Sequence, residues 1–527
     1  MRTELVVVGA GPAGLAAALA ADARGVRVTV VDAADGPGGQ FYRQPAAELN
    51  ARRPQALHHQ WRTWERLRDG LAASGVRLLT GHHVWTVTGG PDSFTVHALL
   101  GPRQDEPATV HADAVLLATG SHEHVLPFPG CTLPGVVTAG GAQAMLKGGL
   151  VVPGRVAVVA GTGPLLLPVA TGLAAAGTRV SALVESAGPR QVARHARALA
   201  GKLPEGAGHA ARLLRHRVRP LARHTVVRAH GDDRLTGVTV AALDADGHVR
   251  RGTGRYLPCD TLAVGHGLLP QTDLAEGLGC HLDGATVTVD AEQRTSAPGV
   301  WAAGEATGVG GAALALAEGH IAGRSAAARL RGTEPDPAGW APAARTREAL
   351  RTAAAALDAA FAPPAHWAAQ VTDDTVVCRC EEVTAGAVRE AADGLGAGDV
   401  RTVKLLTRAG MGWCQGRMCA TAVAGLTGCH SDPPRRPLAR PVPLGILAGT
   451  APDRAAPDRA APDRAAPDRP APDRAAPDRA VSGRPVSASD RSPSEQASTG
   501  GLSSDRPPHG RLSRDQNPPE AFEEGSP

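Results

Sequence analysis

Cysteine and glycine spacing mark the places where this sequence can do redox chemistry. Cys378-Arg379-Cys380 and, 33 residues later, Cys414-Gln415-Gly416-Arg417-Met418-Cys419 form a CxC and a CxxxxC pair. Two close pairs of thiolates suit a [2Fe-2S] rhomb, with each iron taking two sulfurs. Zinc is the rival occupant, but zinc pairs are usually separated by about two to four residues, which the CxC spacing does not match. Buried structural cysteines are a third reading. Gly410, Gly412 and Gly416 would turn backbone amides toward the sulfurs and offset cluster charge. Cys429 reads as a spare buried thiol, and Cys131, Cys259 and Cys280 stand far apart with no CxxC or CxxxxC of their own, so a dithiol reductase is not expected.

The second constellation is Gly9-Ala10-Gly11-Pro12-Ala13-Gly14, a GxGxxG turn. Gly9 permits the tight turn, Gly11 lets a diphosphate approach the backbone at a helix N-terminus, Pro12 opens that helix, and Gly14 lets helix and strand pack closely. Asp32 follows 18 residues beyond Gly14, where a carboxylate can accept from ribose hydroxyls. A related turn, Gly161-Thr162-Gly163, carries Leu166 where the third glycine would stand, with Glu185 22 residues past Gly163. Glu185 suits an adenosine ribose and disfavours a 2′-phosphate. Two readings stand evenly: an NAD(H) site, or a retained fold that no longer binds nicotinamide or has adopted another nucleotide. Arg190 reads as a surface arginine rather than an NADP anchor.

These residues need strands and helices to hold them. Leu5–Val8 is an apolar run that leads through the glycines into the alanine-rich Leu15–Ala21, and Val26–Val31 ends at Asp32, which makes a βαβ unit. The pattern returns with a strand at Arg155–Ala160, a helix to about Ala176 and a strand at Arg179–Glu185. A third glycine-bearing segment, Gly299–Glu305, precedes an alanine-rich helix from about Gly311 to Leu330. A chain of 527 residues exceeds the roughly 250 to 300 that one core supports, so several domains are expected. The expected fold class is α/β. A dinucleotide-binding domain at 1–145 and 265–333 encloses a second at 150–264; a connector at 334–374 leads to a small cysteine domain at 375–432. Ala451–Ala480 consists of six pentads of the form APDRA, the fourth ending in Pro470, and a disordered tail is expected over 450–527.

Composition narrows the function. With a net charge of +4 and only 3% aromatic residues there is little to attract or stack a nucleic acid. No apolar run reaches the roughly 20 residues of a membrane span. A strand starting near Glu4 leaves no space for an export signal, so a cytoplasmic location is expected.

The stretches Val377–Thr384 and Thr407–Cys419 resemble the [2Fe-2S] domain of the bacterioferritin-associated-ferredoxin (BFD) type. Gly38-Gly39-Gln40, Leu116-Leu117-Ala118-Thr119-Gly120 and Ala303-Gly304-Glu305 resemble flavoproteins with two dinucleotide domains, a class that includes thioredoxin-reductase-like enzymes. That likeness implies FAD in the first site. It places Gly39 and Gln40 near the isoalloxazine, Thr119 and Gly120 at the closing strand, and Gly304 and Glu305 at the ribityl-phosphate; aspartate is commoner than glutamate at the last position. The two modules together, with Pro127–Gly130, Leu133–Val136 and Gly265–Pro270, resemble the FAD-containing subunits of opine oxidases, hydrogen cyanide synthase and hydroxyproline dehydrogenases, and part of the sarcosine oxidase α subunit, over residues 1 to 448.

In that family a separate flavoprotein subunit of the amino-acid oxidase type often oxidises the amine, and a small ferredoxin-like subunit sometimes joins the complex. The resemblance therefore implies an electron-transferring subunit of an amine or amino-acid dehydrogenase. A self-sufficient NAD(P)H-dependent reductase and a non-enzymatic iron-sulfur scaffold are the alternatives. No general base is assigned: His122, His124 and His266 read as packing or hydrogen-bonding residues near the flavin segments.

Overall fold

The computed structural model describes residues 2–101, 103–429 and 436–449. The pentad repeats and the rest of the expected tail, 450–527, lie outside the described residues.

Arg2–Val8 is flanked by the parallel strands Val28–Val31 and Glu106–Leu117 in a seven-stranded sheet. Arg77–Leu79 extends it on one side, Val300–Ala302 pairs with Glu106–Leu117, and Phe94–Leu100 and His83–Thr88 continue it as an antiparallel meander. Leu5, Val6, Val7 and Val8 are all buried, as befits a strand covered on both faces. Leu5 and Val7 face the helices Pro12–Asp22 and Ala312–Leu330, while Val6 and Val8 pack with Phe94, Val96 and Leu274. The two helices meet backbone to backbone. A Cβ at Gly319 would lie 2.1 Å from the Ala13 carbonyl oxygen, and one at Gly323 2.1 Å from that of Ala17. Alanine-rich sequence with glycines one turn apart permits that approach, which larger side chains would prevent.

The second unit is a five-stranded parallel sheet in the order Arg219–Ala222, Arg179–Glu185, Val156–Gly161, Thr261–Gly265, Val136–Thr138. Because Val136–Thr138 pairs with Leu262–Val264, the second sheet recruits residues ahead of the expected boundary at 145–150. Two short antiparallel strands, Ser121–Glu123 and Leu268–Pro270, carry the chain out of and back into the first unit.

The segment expected as a connector contains the 20-residue helix Ala341–Ala360, which packs on Ala312–Leu330. The cysteine module has a small hairpin, Val376–Cys378 with Val383–Thr384, and the helices Ala385–Arg389, Val400–Thr407 and Ala420–Thr427. Cys378 and Cys419 sit in its core with Val377, Val388, Val403 and Val423. Among the described residues no helix is long and apolar enough to cross a membrane.

Candidate functional site

The first glycine turn has three glycines with three different duties. Gly9 adopts φ +108°, and a Cβ there would lie 2.2 Å from the Ala118 carbonyl oxygen. A Cβ at Gly14 would lie 1.8 Å from the Gly9 carbonyl oxygen, so both positions are closed to side chains by backbone. Gly11 is open: the nearest atom to a Cβ would be the Gly39 Cα at 3.9 Å. Its N–H makes no hydrogen bond to the protein among the described residues and lies at the N-terminus of Pro12–Asp22, where an anion is favoured. Asp32 ends its strand half-buried, its carboxylate accepting from Ala34 N at 2.7 Å and Ala10 N at 2.5 Å. Those bonds fix its orientation and leave lone pairs for a ribose.

The remaining expected residues converge on the same end of the sheet. Gly39 stands over Gly11, and Gln40 is exposed and accepts from Arg43; nearby Lys147, which is not among the expected residues, donates to the Phe41 carbonyl at 2.9 Å, with burial pushing its ammonium down to about 8. Thr119 Oγ1 donates to the Gln271 carbonyl at 2.6 Å, and Gln271 N returns a bond to Gly120 O at 2.9 Å. Gly304 touches Ala13 through its Cα face, φ +78°, and its N–H donates to Glu318 Oε2 at 2.9 Å. Glu305 accepts a short bond from Ser121 Oγ, and burial raises its carboxyl above the usual range.

Glu318 and Arg351 are absent from the sequence-based expectations. Glu318 is fully buried; it accepts from Gly304 N, Thr307 Oγ1 and Arg351 Nε, the last at 2.8 Å, while Arg351 also reaches the Gly308 carbonyl. The 33-residue separation of the pair hides it from any motif. The signal that could have found it is a lone Glu inside an otherwise apolar helix face.

The second turn differs from the first in backbone as well as in its donors: Gly163 has φ +108° where Gly11 has φ −74°, and its helix begins only at Leu166. Gly161 has φ +132°, and a Cβ there would meet the Gly265 carbonyl oxygen at 1.7 Å. Leu166 is buried and packs with Val159, Ala139 and Ala142, so the missing glycine is absorbed by small neighbours. Gly163 N, the counterpart of Gly11 N, donates to Glu185 Oε2 at 3.0 Å, and Glu185 Oε1 accepts from Ala187 N at 2.9 Å. Burial raises the Glu185 carboxyl to about 7. Thr162, also buried, donates from Oγ1 to the Phe361 carbonyl at 3.1 Å, so the chain leaving Ala341–Ala360 lies against this turn. Arg190 is exposed on Pro189–Arg194.

The four C-terminal cysteines come together. Cys414 and Cys419 lie close enough to Cys378 and Cys380 for the thiols to perturb one another. The neighbouring Cys419 thiol and the amides of Met418 and Gly416 pull Cys414 down to about 4, while Cys419 is raised. Gly410 N donates to Cys378 Sγ at 3.5 Å. Gly412 has another duty, since a Cβ there would lie 2.2 Å from that of Cys380. Neighbouring sulfurs with amides aimed at them suit a two-iron cluster. Cys429 stands apart, half-buried, with its thiol directed at the Ala397 carbonyl.

The cysteine loop is fastened to the first unit. Arg417, between Cys414 and Cys419, reaches Asp273 Oδ2 through Nε at 3.0 Å, and Arg436 Nη1 reaches Asp273 Oδ1 at 2.7 Å. The His122 ring lies near Asp273, Arg417 and Arg436, and burial lowers its imidazole below the usual range. His124 and His266 are mutual neighbours in the hinge, and burial drives His266 down to about 3 as its Nδ1 accepts from Leu126 N. A buried neutral imidazole suits the packing role expected of it.

Residues 3–327 match the family described as pyridine nucleotide-disulphide oxidoreductase, and residues 376–426 match the BFD-like [2Fe-2S] binding domain. The chain belongs to the pyridine nucleotide-disulphide oxidoreductase family. The second match favours iron over zinc at the four cysteines. The chain is 34% identical to hydrogen cyanide synthase subunit HcnB of Pseudomonas aeruginosa, over 80% of this chain and 91% of that one. It is 33% identical to an opine oxidase subunit of Agrobacterium tumefaciens, over 80% and 84% of the two chains. L-proline dehydrogenase of P. horikoshii has the same fold, with TM-score 0.60 and 19% identity over 85% of this chain and 79% of that one. The chain is an FAD-dependent oxidoreductase with a [2Fe-2S] domain.

Proposed function

We propose that this chain is the electron-transferring subunit of an amine or amino-acid dehydrogenase, relaying electrons between FAD and the [2Fe-2S] cluster. In this reading Gly9, Gly11, Pro12, Gly14, Asp32, Gly39, Gln40, Thr119, Gly120, Gly304 and Glu305 hold FAD, and Cys378, Cys380, Cys414 and Cys419 hold the cluster. FAD supplies two-electron chemistry that can be divided into single electrons, and a cluster carries one at a time. The protein's part is to orient Asp32 by two amides, to leave Gly11 N free for a diphosphate, and to keep both sites in one body.

The observation that carries the reading is the ion pair between Arg417, inside the cysteine loop, and Asp273 of the flavin-binding unit. It fastens the cluster to the flavin unit. The relatives named as subunits of hydrogen cyanide synthase and opine oxidase support a multi-subunit assembly; in this reading a partner of the amino-acid oxidase type performs substrate oxidation and a small ferredoxin-like subunit takes part. Clustered free thiols that must stay reduced to bind iron fit a cytoplasmic location.

Use of NAD(H) at the second turn is the less favoured alternative, because Glu185 already occupies Gly163 N and Pro164 has no N–H to offer. The deciding experiment is co-purification from the native host, followed by spectra with candidate amino and imino acids. The complex should reduce its flavin and cluster; the isolated chain should not. Full oxidation of such a substrate by the isolated chain would rule out the relay.

A further inference from the structure

Asp273 is a buried carboxylate, its side chain 6% exposed, gripped by two guanidiniums that are themselves 13% and 16% exposed. Burying three charges is costly, and such a group is often no more stabilising than apolar residues of the same volume. What it supplies is a unique docking geometry. Both arginines also hold the main chain of the cysteine loop. Arg417 Nη1 donates to the Cys414 carbonyl at 3.2 Å, and Arg436 Nε donates to the Gln415 carbonyl at 3.0 Å. Arg417 Nη2 further binds the Ala439 carbonyl, and Ala439 N binds Trp85 O of the first sheet at 2.8 Å.

On the other side of the seam, Asp273 lies two residues past Gln271, whose carbonyl accepts from Thr119. His122, whose ring lies near Arg417 and Asp273, is the neighbour of Ser121, the donor to Glu305. The cysteine loop is thus seated on the segment that also carries the Thr119, Gly120 and Glu305 contacts.

We propose that Asp273 is a positioning residue for electron transfer, holding the Cys414–Cys419 loop through Arg417 and Arg436 against the Ser121–Glu123 strand so that flavin and cluster keep a fixed separation. This rests on the relay reading above. In the step itself one electron lost by reduced FAD is the one electron gained by the oxidised cluster; no bond or proton moves at Asp273. The carboxylate has an electrostatic effect as well. Removing its charge leaves two guanidiniums uncompensated beside the cluster, which favours the more negative reduced form and raises the cluster's midpoint potential.

The test uses the holo chain with both cofactors loaded. A photochemical donor reduces the flavin anaerobically, and loss of reduced flavin is followed against bleaching of the cluster. Asp273→Asn should slow this intramolecular transfer by about tenfold or more, as small misplacements of reacting partners do. FAD and iron content should be retained and the cluster potential should rise. Asp273→Glu should recover part of the rate. Transfer in Asp273→Asn within about twofold of wild type, at an unchanged potential, overturns the proposal. If that variant loses its cluster, Arg436→Gln decides: a slowed rate supports the proposal and a wild-type rate overturns it. Failure of the wild-type chain to pass any electron from flavin to cluster is a different result, and removes the relay reading itself.

Discussion

A methyl group added at Gly14 would collide with the backbone of Gly9, whereas one at Gly11 would meet almost nothing. Both glycines belong to one motif, yet their failures should differ. Gly14→Ala is expected to lower thermal stability even without FAD, because helix and strand must separate. Gly11→Ala should leave the melting temperature of the apo chain unchanged while weakening FAD affinity by about tenfold or more, since the methyl group stands in the diphosphate's approach. Equal melting temperatures for the two apo variants would contradict this division. The cysteines allow a parallel separation: Cys378→Ser or Cys414→Ser should remove the visible absorbance of the cluster and leave FAD bound, as read from spectra of the purified variants. Both sets of residues were legible in the sequence because each belongs to a short motif of fixed local spacing, GxGxxG, CxC or CxxxxC. Glu318 and Asp273 were not, because the groups that give them meaning lie 33 and 144 residues away.

At the level of elements, Ala341–Ala360 reads in sequence as a spacer and proves to be a structural member. Its Arg351 neutralises Glu318, which in turn holds the N–H of Gly304. Arg351→Ala would leave a fully buried carboxylate without its cation. Allowing for the partial exposure of the arginine, the expected loss is about 2 to 4 kcal/mol, measured by denaturant unfolding, and FAD affinity should fall with it. The second turn has its own signature. Glu185 has a folded value of about 7 against an ordinary 4.5, so ionising it opposes folding. Its favourable neutral form is fully retained below pH 4.5, and stability is lost as pH rises from there through 7, by roughly 3 kcal/mol at most. Glu185→Gln should therefore gain in melting temperature relative to wild type between pH 5 and pH 8; a constant difference across that range would refute the assignment. The βαβ periodicity announced both sheets, but whether a turn's amides are free or occupied depends on side-chain length and on what the later chain lays over them, which no local pattern records.

For the molecule as a whole the open variable is where electrons enter, and the two glycine turns give opposite indications. At the first, Asp32 is held by Ala10 and Ala34, and Gly11 N is left for a phosphate. At the second, the longer Glu185 reaches Gly163 N itself, and Thr162 is bonded to the main chain at Phe361. A dinucleotide entering there would have to displace a carboxylate and part the segment after Ala341–Ala360 from the turn, losing hydrogen bonds each worth on the order of 1 kcal/mol net. The relay reading needs no such entry, because a partner's substrate oxidation supplies the electrons. NADH added anaerobically to the isolated holo chain should therefore leave the flavin absorbance unchanged over many seconds, while the same chain joined to its partner and given the right amine should bleach at the flavin and then at the cluster. Rapid bleaching by NADH alone would identify the second turn as the point of entry and make the chain a self-sufficient reductase. The order of bleaching in the complex is the more informative half of the experiment: flavin before cluster places the flavin on the entry side, and the reverse order would mean that the cluster faces the partner and feeds the flavin.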